Sequence, residues 1–152
     1  MLPGVAAAQE EQVGLAPGTA VRPVTIEDLD GNPVDLSPYL GRRPALFEFW
    51  ATWCTDRALP EPRMRAAYQR HGSSVDFVAV AVSQSKASVK RHVAQRPPPA
   101  SGVLWETNGN AVRGFDTPVT SYVVILDRQG KVAYTGIGPD QDLETALARV
   151  TR

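Results

Sequence analysis

Phe49-Trp50-Ala51-Thr52-Trp53-Cys54 continues the apolar run that begins at Ala45, and it ends on the only cysteine of the chain. Aromatic and aliphatic residues packed this densely suit a strand covered on both faces. A helix is expected directly after Cys54, with Met64, Ala67 and Tyr68 at i, i+3 and i+4 and Gly72 as its stop. Pro60 and Pro62 delay or kink its first turns. The reading is therefore strand, cysteine, helix. It puts a thiol where free backbone N–H groups and the helix dipole favour negative charge.

The remaining sequence supplies a sheet for that strand to join. Val75 to Val82 is almost continuously β-branched or small and apolar, as a central parallel strand requires. A helix over 85–96 follows it, and Pro97-Pro98-Pro99 ends that helix. Val103 to Trp105 reads as a short edge strand, and 110–115 as a helical turn. Tyr122 to Leu126 and Val132 to Thr135 flank Asp127-Arg128-Gln129-Gly130 as a hairpin. Leu143, Ala146, Leu147 and Val150 form the apolar stripe of a last helix, with a cap expected at Asp140. Upstream, Val24 to Glu27 and Pro33 to Leu36 flank Asp30-Gly31-Asn32 as a smaller hairpin, and Ser37-Pro38 opens a helical turn. The element order predicts a single α/β domain over 21–152, a mixed sheet with helices on both faces.

Composition narrows the function. The 152 residues, 43% hydrophobic, are enough for one core. Sixteen basic and sixteen acidic residues cancel, so nothing favours nucleic acid or an anionic membrane face. No apolar run approaches the roughly 20 residues that span a bilayer. One cysteine excludes an internal disulfide. His71 and His92 have no ligand-like spacing to Cys54, so neither a metal nor a cofactor is expected. Residues 1–20 are expected to form a flexible tail. Within it, Ala6-Ala7-Ala8 before Gln9-Glu10-Glu11 reads as the remnant of a secretory signal and implies an extracytoplasmic, oxidising location.

Taken in order, these features resemble a thioredoxin-like fold, most similar to the TlpA/ResA family of extracytoplasmic thiol–disulfide reductases. The resemblance rests on the Leu29-Asp30-Gly31-Asn32-Pro33-Val34 hairpin, the Phe-Trp-Ala-Thr-Trp-Cys box and Pro62. It also rests on the long central strand and on Leu126-Asp127-Arg128-Gln129-Gly130-Lys131-Val132. It implies a thioredoxin-like fold with an N-terminal β-hairpin extension, protein or small-molecule thiols and disulfides as partners, and, more loosely, cytochrome c maturation components. The chain departs from the family at two places. The family's Trp-Cys-x-x-Cys stands here as Trp53-Cys54-Thr55-Asp56-Arg57, so Arg57 occupies the second-cysteine position. Counting back from Gly130, the family's cis-proline falls on Ser121. A cis bond before a non-proline residue costs about 2.5–4 kcal/mol, so a trans bond is expected there.

The site expected from sequence is accordingly Cys54 as nucleophile, with Arg57 and the helix start tuning its thiolate, and Glu48 as a buried acid in the preceding strand. Trp53, Thr55, Asp56, Thr120 and Ser121 would face a partner. Thr52 and Thr55 are expected to cap backbone groups, and Trp50 to pack in the core. The blander alternatives are an inert cysteine beside Trp53, and a Glu48 paired with Arg57 or Lys131 or turned to solvent. Without a resolving thiol, the chemistry left is monothiol exchange, a trapped adduct or oxidation of the sulfur. The rival reading is a redox-inactive binding module. Peroxide reduction is disfavoured, because Ala51 and Phe47 stand where peroxiredoxin-type sites place Thr and Pro.

Overall fold

The computed structural model describes residues 14–53, 61–106, 108–117 and 121–152. Cys54, Thr55, Asp56, Arg57 and Thr120, five of the expected site residues, lie outside that set. The described elements are β1 (Thr25–Asp28), β2 (Pro33–Asp35), a 3-10 turn (Ser37–Tyr39), β3 (Ala45–Trp50) and α1 (Glu61–His71). They continue with β4 (Asp76–Ala81), α2 (Lys86–Gln95), β5 (Gly102–Trp105), α3 (Asn110–Gly114), β6 (Tyr122–Leu126), β7 (Val132–Ile137) and α4 (Leu143–Val150).

All seven strands form one mixed sheet in the order β2-β1-β5-β4-β3-β6-β7. The sequence Ala45 to Trp50 lies at its heart, parallel to β4 and antiparallel to β6. Because side chains alternate along a strand, β3 feeds two cores. Phe47 and Phe49 point to one side, where Phe115 packs on both at centroid distances of 4.7 and 5.3 Å and Tyr122 adds a further ring. Leu46 points to the other, among Met64 and Ala67 of α1, Phe77, Ile125 and the stripe Leu143, Ala146, Leu147 and Val150 of α4. Burying this apolar surface from both faces supplies most of the fold's stability.

Three expectations need correction. Strand β5 is interior, because β1 pairs with it antiparallel and carries the hairpin beyond it. The cap of α4 is Asp142, whose carboxylate accepts from the Thr145 N–H at 3.2 Å. Residues 14–20, expected within a free tail, are tied to the body. The Gly18 N–H donates to the Val132 carbonyl at 2.7 Å, and the Val132 N–H donates to the Thr19 carbonyl at 2.8 Å. Leu15 adds an N–H bond to the Tyr122 hydroxyl. Apolar Leu15 and the ladder groups of Val132 give this stretch somewhere to bind. A composition-based reading could not see either partner.

Candidate functional site

The carboxyl end of β3 is where a parallel α/β sheet offers its loops to solvent, and three loops converge there. The chain leaving β3 runs through Ala51, Thr52 and Trp53 to Cys54. On the β4 side lies the turn Ser83-Gln84. On the β6 side lies Ser121, whose N–H donates to the Phe49 carbonyl at 2.6 Å. The chain that leads to Cys54 thus leaves a strand bracketed on both sides.

The two residues before Cys54 are held by the β4 side. Gln84 Oε1 accepts from the Thr52 N–H at 3.1 Å and from the Thr52 hydroxyl at 2.6 Å. The Thr52 hydroxyl, expected to cap a backbone group, thus bonds a side chain of another loop. The Trp53 indole N–H donates to the Ser83 carbonyl at 3.2 Å, yet 62% of that side chain remains exposed. An exposed tryptophan tethered at its nitrogen suits contact with a partner. Ser83 has φ of 56°, so the turn that offers these carbonyls is bent into the left-handed region. Trp105 donates its indole N–H to the Gln84 carbonyl at 2.9 Å and fixes the turn from behind.

Ser121 is buried, at 3% exposure, and has φ of 69°. The peptide bond before it joins Thr120, so its isomer lies outside the described residues. Trp50 is partly buried, with its ring 5.5 Å from that of His92. His71, the other histidine, is 2.9 Å from Glu144. No cluster of metal-ligating side chains occurs among the described residues.

Glu48 sits one strand step before Trp50, on the Leu46 side of β3, flanked by the buried Ala79 and Val123. Burial pushes its carboxyl up to about 7, and the Glu61 carboxylate at the start of α1 adds to the rise. No ion pair among the described residues includes Glu48, so pairing with Lys131 does not occur there. A raised folded-state pKa means the native protein holds this proton between about pH 4.5 and 7 while the unfolded chain releases it. Stability from this group is full below 4.5 and is lost as pH rises through 7, by at most about 3 kcal/mol. Glu48→Gln is expected to raise stability at pH 8 by about 2 kcal/mol, the buried amide taking back part of the gain, and to change little at pH 4.5. Denaturant midpoints at the two pH values check it. An equal effect at both would contradict the assignment.

Sequence reasoning named Cys54, Trp53, Glu48 and Ser121 and did not name Ser83 and Gln84, whose contacts with Thr52 and Trp53 only the structure shows. Their one signal was position, directly after the strongest strand of the chain.

Comparison with known proteins agrees with this architecture. The Redoxin family model matches residues 16–149. Among solved structures, a protein described as thiol:disulfide interchange protein DsbE from Chlorobium tepidum superposes with a TM-score of 0.77 at 22% identity, over 91% of this chain and 99% of that one. The thioredoxin domain of a thiol-disulfide oxidoreductase from Bacteroides vulgatus gives 0.74 at 17% identity, again over 91% and 99%. DsbF from MTB, in mixed oxidised and reduced forms, gives 0.64 at 21% identity over 84% and 95%. At these identities the likeness establishes the thioredoxin-like fold. No curated protein matches the chain significantly by sequence.

Proposed function

The chain belongs to the Redoxin family, and from that premise we propose that it is a TlpA/ResA-type thiol–disulfide exchange protein working through one thiol, Cys54. The observation that carries this reading is the position of the lone cysteine, next to exposed Trp53 at the carboxyl end of central strand β3, with Arg57 three residues on. Arg57 and the start of the following helix would favour the thiolate. The Cys54 thiolate attacks one sulfur of a partner disulfide. That S–S bond breaks, a Cys54–partner disulfide forms, and the second partner sulfur leaves as a thiolate and takes a proton. Glu48, titrating near neutrality in the same strand, is a local proton source and sink.

An arginine cannot attack sulfur, so the mixed disulfide waits for an external thiol. The first such thiol attacks Cys54 sulfur, frees the partner as a dithiol and stays bound as a new disulfide. A second releases Cys54 and leaves as the oxidised pair. Two external thiols are oxidised for each partner disulfide reduced. The partners are protein or small-molecule thiols and disulfides outside the cytoplasm, with cytochrome c maturation components a narrower choice within that class. No helix among the described residues is long and apolar enough to cross a membrane.

The test is a single-turnover reaction of reduced protein with insulin or glutathione disulfide, followed by mass spectrometry. One adduct per chain on Cys54 should accumulate, no partner dithiol should appear until thiol is added, and Cys54→Ser should abolish the adduct. Release of dithiol without added thiol would refute the mechanism. The positive φ of Ser121, where the family carries proline, favours a second reading, a partner-binding module without redox turnover. That reading predicts a Cys54 alkylated at neutral pH no faster than a free thiol.

A further inference from the structure

The Thr52-Trp53 turn has no regular hydrogen-bond ladder of its own, because β3 ends at Trp50 and the next described helix begins at Glu61. Its orientation must come from elsewhere. The bonds that supply it converge on two consecutive residues at least thirty positions away in sequence, and all three donors belong to the pair just before Cys54. Gln84 takes the backbone and hydroxyl protons of Thr52 through one oxygen, while Ser83 takes the indole proton of Trp53. The turn can bear this role because it is itself fixed. Trp105 bonds the Gln84 carbonyl, Ser85 caps α2 by accepting from the Ser88 N–H, and Lys86 lies 4.9 Å from the Trp105 ring centroid while paired with Glu27 at 2.8 Å.

Gln84 pays for this arrangement. With Oε1 committed to Thr52, its Nε2 is buried and makes no hydrogen bond among the described residues. A buried unpaired amide donor is costly, so a side chain chosen for stability alone would avoid it.

We propose that Gln84 is the positioning residue of the exchange reaction, clasping Thr52 so that the chain beyond it presents Cys54 in one orientation toward a partner disulfide. The inference rests on the monothiol reading above. Sulfur–sulfur exchange demands near-linear approach along the bond being broken, so fixing the turn raises the fraction of productive encounters. Alkylation by a small reagent is less demanding in direction and gains less from the same restraint. Gln84 acts through Thr52.

The test compares wild type with Gln84→Ala, Gln84→Glu and Thr52→Val for mixed-disulfide formation with glutathione disulfide and for iodoacetamide alkylation, each across pH. Gln84→Ala should slow disulfide exchange about tenfold while alkylation at the high-pH plateau changes far less. Thr52→Val should slow it less, because the backbone bond survives, and Thr52→Val with Gln84→Ala should be no slower than Gln84→Ala alone. Gln84→Glu keeps the acceptor, so the plateau exchange rate should return to near the wild-type value. Its new negative charge should move the pH profile to higher pH. A merely structural glutamine would shift neither the exchange-to-alkylation ratio nor that profile. Thr52 amide hydrogen exchange, faster in Gln84→Ala, separates loss of the clasp from global unfolding. A reactive wild type whose Gln84→Ala variant keeps its exchange rate would overturn this proposal alone. A wild-type Cys54 that forms no mixed disulfide would overturn the monothiol reading and this one together.

Discussion

Arg57→Cys should convert the protein from one that traps its partner into one that releases it. Reduced variant mixed with insulin, without any added thiol, is expected to release insulin with one disulfide reduced to a dithiol in a single turnover, where the wild type stops at the adduct. The reason is local concentration. A second thiol placed three residues from Cys54 attacks the mixed disulfide from within the same molecule, and well-oriented intramolecular reactions have effective molarities of about 10⁵ M or more. Millimolar external thiol cannot compete with that, so resolution should accelerate at least a hundredfold. Quantifying free insulin thiols against time checks the result. If the variant stays silent although Cys54 still forms adducts, the defect lies elsewhere than in the missing thiol, and Ser121 becomes the first suspect.

Ser121→Pro, although it restores the family's residue, is expected to destabilise the protein by roughly 3 kcal/mol or more. Proline fixes φ near −65°, whereas Ser121 has φ of 69°. Proline also lacks the N–H that Ser121 donates to the Phe49 carbonyl at 2.6 Å, so a buried carbonyl at the end of β3 would lose its partner. The backbone would have to rebuild the entry to β6, a strand buried along its entire length. A lowered midpoint in urea, read against wild type, is the measurement. Unchanged stability would mean that this loop accepts the family's geometry without strain. The two departures from the family are therefore unequal. A second thiol is expected to need one substitution, whereas a proline at 121 meets a backbone whose φ of 69° it cannot adopt.

Much of the framework was legible because it is written locally. The apolar runs at Ala45 to Trp50 and Val75 to Val82 became β3 and β4, and the stripe from Leu143 to Val150 became α4, since burial dictates period and density within each element. What escaped depends on pairing between distant residues. Val103 to Trp105 is too short to reveal two neighbours, and only the antiparallel approach of β1 makes it interior. Asp140 and Asp142 are both good caps by type, and the observed helix start selects the second. In the site, Trp53 and Glu48 could be named from their spacing to Cys54. Gln84 could not, because its bond to Thr52 joins residues 32 apart and glutamine carries no fixed role. The positive φ of Ser121 was also hidden, as serine has little preference for that region.

A sheet of seven strands has two outer margins, and each margin is a row of backbone groups on which a foreign strand could stack. Here one margin is β2, only three residues long and opening on Pro33, which has no hydrogen to offer. The other is β7, and where it begins both backbone groups of Val132 are taken by Gly18 and Thr19. The stretch before β1 thus acts as a selvedge at the start of that border, closing backbone groups that would otherwise be open to a foreign strand.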